Sequence, residues 1–125
     1  MSPATAWQLL RYASVGGLAT AAHWALLAVL VEGAGMAPWV ASGCGAVLGA
    51  QVAFFGNRRY TFGHAGPLWP AWWRFMGTAA LGGGVGMAVV AAGVALGLHY
   101  LLAQAVATAL GLLLTYTVNR VWTFG

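Results

Sequence analysis

Charge is nearly absent from the stretches where this chain is most apolar. Between Arg11 and Arg58 it meets one charged residue, Glu32, and between Arg74 and Arg120 it meets none. Charged residues make up 5% of the chain, against roughly 25% in soluble domains. A water-soluble fold could not cover its surface with so few, so the apolar surface is expected to face lipid. Disorder is excluded on the same ground, because disordered chains are polar and highly charged. A backbone inside lipid must satisfy its own N–H and C=O groups, which leaves helices or a closed barrel. Barrel strands alternate apolar and polar residues, and Leu26-Leu27-Ala28-Val29-Leu30-Val31 does not alternate. The fold class is therefore read as an all-α membrane protein.

A spanning helix needs about 20 apolar residues, so 125 residues leave room for about four spans in a single domain. They are expected at about 9–31, 39–55, 74–96 and 100–116. Pro38 suits the first turn of the second helix, 65–70 reads as a loop, and Gly97-Leu98-His99 as a tight turn. Trp72 and Trp73 read as interfacial anchors. The segment before the first span lacks the basic stretch of a cleavable signal, so that span is expected to stay as a helix. With four spans, Arg11, Arg58, Arg59, Arg74 and Arg120 all fall on one side, and Glu32 and His99 on the other. The positive-inside rule makes the arginine side cytoplasmic, with both termini there.

The two halves resemble each other. Asn57-Arg58-Arg59-Tyr60-Thr61-Phe62-Gly63 returns 62 residues later as Asn119-Arg120-Val121-Trp122-Thr123-Phe124-Gly125, and Arg11-Tyr12 returns 63 residues later as Arg74-Phe75. The expected arrangement is two helical hairpins, about 7–63 and 70–125, each with two spans and both pointing the same way. Such parallel repeats are related by an axis along the membrane normal and often hold a site between them. An interfacial anchor needs only arginine and aromatics. The duplicated Asn and Thr-Phe-Gly point to a more specific role.

These motifs, with Val15-Gly16 and Thr20 in the first span, resemble those of the GtrA-like membrane proteins, over about 9–124. The resemblance implies a role in cell-envelope polysaccharide or glycolipid assembly. It implies movement of a polyprenyl-phosphate-linked monosaccharide across the cytoplasmic membrane, beside a polyprenyl-phosphate glycosyltransferase. Arg58 and Arg120 are then the leading candidates for the lipid phosphate, because guanidinium makes paired, charge-assisted bonds to phosphate. Asn57 and Asn119 would add neutral donors, and Arg11 and Arg74 would complete the cluster. Arg59, replaced by Val121 in the second copy, suits general contact with anionic headgroups.

Ionisable and polar residues within spans are functional candidates. His23, Gln51, Gln104 and Thr78 are thus candidates for lining a sugar path, with interhelical bonding the alternative for the two glutamines. Gly45-x-x-x-Gly49 and Gly82-x-x-x-Gly86 read as close-packing motifs, with a glycine-lined groove for a prenyl chain as the alternative. Cys44 is expected to serve packing. No catalytic constellation is visible: Glu32 is the one acid, and His64 and His99 lie on opposite sides. The chain is read as no enzyme, with no cofactor, no metal and no nucleic-acid partner. Membrane lipid and a homodimer or larger oligomer are expected partners. Two other functions stay open. One is a non-transporting anchor for a glycosyltransferase. The other is a small multidrug exporter, which would need a membrane-embedded carboxylate where Glu32 sits only at the rim.

Overall fold

The computed structural model describes residues 2–61, 63 and 66–118, with side chains through Leu114. It is helical throughout, with no strand among the described residues. Helix α1 spans Pro3–Ala28, α2 Pro38–Gly56, α3 Leu68–Ala95 and α4 Tyr100–Val118. Five-residue π-helical turns, Val29–Gly33 and Asn57–Thr61, extend α1 and α2. Counting those turns, the first three helices are long and apolar enough to cross a membrane, and α4 is a shorter apolar helix over its described side chains. The chain is a multi-pass membrane protein.

Local chemistry sets the helix ends. Ser2 caps α1, its hydroxyl accepting from Thr5 N–H at 3.2 Å, and Pro3 occupies the first turn, where a missing N–H costs nothing. The turn between α3 and α4 is a Schellman motif. Gly97 takes φ +94°, its N–H reaches Val94 O, and Leu98 N–H reaches Gly93 O at 2.9 Å. His99 then caps α4 through Nδ1, which accepts from Leu101 N–H at 3.2 Å. Two boundaries differ from expectation. Helix α1 begins at Pro3, and α3 begins at Leu68, so much of the expected 65–70 loop is helical. Pro70 is tolerated because it lies in the first turn of α3.

Helices pack in chain order, α1 on α2, α2 on α3 and α3 on α4, and α1 and α4 have no comparable interface among the described residues. The α1–α2 seam is built on glycine. A Cβ at Gly45 would lie 2.6 Å from the His23 carbonyl oxygen, and one at Gly49 would lie 3.0 Å from that of Ala19. The α3–α4 seam closes the same way, with Gly93 against Ala103. Phe54 and Phe75 meet across α2 and α3 at 5.5 Å between ring centres. Leu27, Ala41 and Tyr100, from α1, α2 and α4, form one buried cluster at the Glu32 end.

Two packing expectations are corrected. Gly82 and Gly86 have no atom within 4 Å of where a Cβ would stand, so this GxxxG does not draw helices together. Cys44 is exposed rather than packed, because α2 is apolar all round and its sequence does not say which face is inward.

Candidate functional site

Two places gather the polar side chains. The first is the arginine end. The π-helical turn after α2 positions Asn57, Arg58, Tyr60 and Thr61, and π turns recur at functional sites. Asn57 Oδ1 accepts from the buried Thr61 hydroxyl at 2.7 Å, so the first and fifth residues of the motif brace the turn. Arg58 Nη2 donates to Gly66 O at 2.7 Å, while its Nη1 is buried without a partner among the described residues. Arg11 reaches over from α1. Its Nη1 lies 3.5 Å from Tyr60 O, and its guanidinium sits 5.1 Å from the Tyr60 ring centre, a cation–π distance. Phe55, Arg58, Arg59 and Gly63 line a concavity beside these groups. Arg74 is exposed on α3. Asn119 and Arg120, the second copy of the motif, lie outside the described residues, as do Phe62 and His64.

The second place is a cavity of about 280 Å³ between all four helices. Most of its wall is alanine and glycine, including Gly82 and Gly86. Its polar groups come from Thr20 and His23 on α1, Ser42 on α2, and Gln104 and Thr108 on α4. Ser42 donates to Gln104 Oε1 at 2.6 Å, and Gln104 Nε2 donates to Thr108 Oγ1 at 3.2 Å. His23 Nε2 is buried with no partner among the described residues.

Of the sequence candidates, the structure brings His23 and Gln104 to this cavity and places the other two elsewhere. Gln51 ties α2 to α3, accepting from Trp72 Nε1 at 2.9 Å and donating to Met76 Sδ at 3.1 Å. Thr78 is exposed and donates back to Arg74 O at 3.4 Å, within its own helix. Ser42 and Thr108 were missed. Ser42 carried a usable signal, because it stands 62 residues before Gln104, the offset that relates the two Asn-Arg motifs.

Apolar helices of membrane length, a basic end and a small cavity walled mostly by alanine and glycine define a small helical membrane protein. The family model for the GtrA/DPMS transmembrane domain matches residues 11–124, and the chain belongs to that family. No curated protein and no solved structure matches it.

Proposed function

We propose that this protein carries a polyprenyl-phosphate-linked monosaccharide from the cytoplasmic to the outer leaflet of the cytoplasmic membrane, as a carrier and not an enzyme. The family fits a membrane function concerned with polyprenyl-phosphate sugars. The observation that carries the reading is Arg58. One guanidinium nitrogen is bonded to Gly66 O and the other is buried without a partner among the described residues, with Arg11 stacked over the Tyr60 ring. A buried cationic donor with spare capacity at the end of a span is suited to a lipid phosphate, because charge-assisted bonds are strongest where water is scarce.

The chain is read as two parallel hairpins with both termini cytoplasmic. Burial supports the repeat: Leu27 and Val90, 63 apart, are both fully buried, as are Ala41 and Ala103, 62 apart. Ser42 and Gln104, also 62 apart, bond to each other, as equivalent positions do near a two-fold axis. In this reading Arg120 and Asn119 supply the counterpart of Arg58 and Asn57, with Arg11 and Arg74 flanking them. The sugar lipid comes from a polyprenyl-phosphate glycosyltransferase alongside, and a homodimer completes the wall around the headgroup.

Purified protein in liposomes tests this. Wild type is expected to speed outward movement of a short-chain polyprenyl-phosphate glucose, and Arg58→Ala to slow it by about tenfold or more, matching a lost charge-assisted bond of about 1.5–3 kcal/mol. Absence of wild-type movement, with co-purification of a glycosyltransferase, would establish the anchor instead.

A further inference from the structure

The Ser42–Gln104–Thr108 hydrogen bonds and the unfilled volume beside Gly82 and Gly86 belong to one cavity. We infer that this cavity holds an uncharged sugar ring partway across the membrane and excludes headgroups that bring a charge of their own. The inference rests on the translocation reading and names the site and the class of sugar within it.

Three observations carry it. First, the polar groups on the wall satisfy one another only in part: Ser42 bonds Gln104 and Gln104 bonds Thr108, and further donors and acceptors remain beside the open volume. A sugar hydroxyl both donates and accepts, so it can meet either kind of group. Gln104 Nε2 has a second N–H beyond the one given to Thr108, and the Ser42 oxygen can still accept. Second, none of the described lining residues is an acid, a lysine or an arginine. A carboxylate there would lose its hydration with no cation to offset the loss, which is costly at low dielectric. Third, at about 280 Å³ the cavity falls just short of the roughly 300–1,000 Å³ typical of drug-sized sites, which suits one ring and not a chain of sugars.

The cavity also has a direction. On the Glu32 side it is floored by the Ser42–Gln104 pair, with the buried Leu27, Ala41 and Tyr100 beyond. On the other side its wall runs to Ala53, Phe75 and Leu112, toward the arginine end. The ring therefore enters from the side where Arg58 sits.

The small glycines make a clean test, because Gly82 lines the cavity and a Cβ there meets no atom within 4 Å. The probes are short-chain polyprenyl-phosphate glucose and the same lipid bearing glucuronate. Retention of each by the purified chain is read by native mass spectrometry, and movement by the liposome assay. Wild type is expected to retain the glucose lipid about tenfold better than the glucuronate lipid. His23→Leu and Gly82→Leu should each weaken glucose-lipid retention about tenfold. Gly82→Ala, which fills less volume, should fall between Gly82→Leu and wild type. Gly77→Leu, at an open position outside the cavity on the same helix, should leave it unchanged. Equal retention of both lipids, or wild-type retention by Gly82→Leu, overturns the inference. Cavity-dependent retention without movement would sink the translocation reading and keep the cavity site. Movement indifferent to Gly82 and His23 would do the reverse.

Discussion

Replacing Gly45 with alanine should separate the first two helices, and the size of the effect follows from what lies opposite. The new Cβ would stand 2.6 Å from the His23 carbonyl oxygen, where ordinary contact begins at 3.4 Å. Helix α1 must therefore retreat by about 0.8 Å (3.4 − 2.6). His23 Cδ2 also lies 2.5 Å away and could turn aside, but the carbonyl oxygen belongs to the backbone, so no rotamer change relieves that clash. Overpacking of this kind costs typically about 1–3 kcal/mol, and the rigid obstacle places Gly45→Ala near the upper end. Three kcal/mol is a factor of more than about 100 in the unfolding equilibrium. Gly49→Ala, at 3.0 Å from the Ala19 oxygen, needs about half that retreat and should cost correspondingly less. Gly86→Ala meets nothing within 4 Å and should be neutral, or stabilising by up to about 1 kcal/mol through helix propensity. Reversible unfolding by dodecyl sulfate titration in mixed micelles, followed by tryptophan fluorescence, would rank the three. Equal destabilisation by Gly45→Ala and Gly86→Ala would refute the assignment of tight packing to one motif and open space to the other.

Ser42→Ala and Gln104→Leu should show a double-mutant coupling of about 0.6 kcal/mol, with about 1.7 as an upper bound for such bonds in membranes. Additive effects in the same titration would mean that the 2.6 Å bond contributes nothing. Asn57→Ala and Thr61→Val break the same brace, so each should raise hydrogen exchange at 57–61 and the double variant should add little. Gly97→Ala forces a side chain into φ +94° and should cost about 1–2 kcal/mol, visible as a lowered unfolding midpoint.

Helix number and most turns were legible because they depend on uncharged run length and on local breakers. Gly97 and Pro38 mark their turns in the sequence and do so in the structure. The start of α3 was less legible, since Pro70 reads as a breaker except in a first helical turn. The two GxxxG motifs are alike as text and opposite in use. Gly45 and Gly49 face the α1 backbone, whereas Gly82 and Gly86 face the cavity, and only the opposing helix decides. The same holds for the glutamines: Gln51 meets Trp72 in a seam, and Gln104 meets Ser42 beside open space. In helices apolar on every side, burial is set by neighbours and not by periodicity. The Asn-Arg motif was legible as a duplication, but the brace between Asn57 and Thr61 needed the π-helical turn that brings them together.

The proposal that this chain handles a lipid phosphate at its arginine end is tested most directly by a structure of the protein with short-chain polyprenyl-phosphate glucose bound. The account predicts the phosphate within hydrogen-bond distance of Arg58 Nη1, the nitrogen buried without a partner among the described residues. A phosphate seated away from Arg58, with that nitrogen still unpartnered, would contradict it.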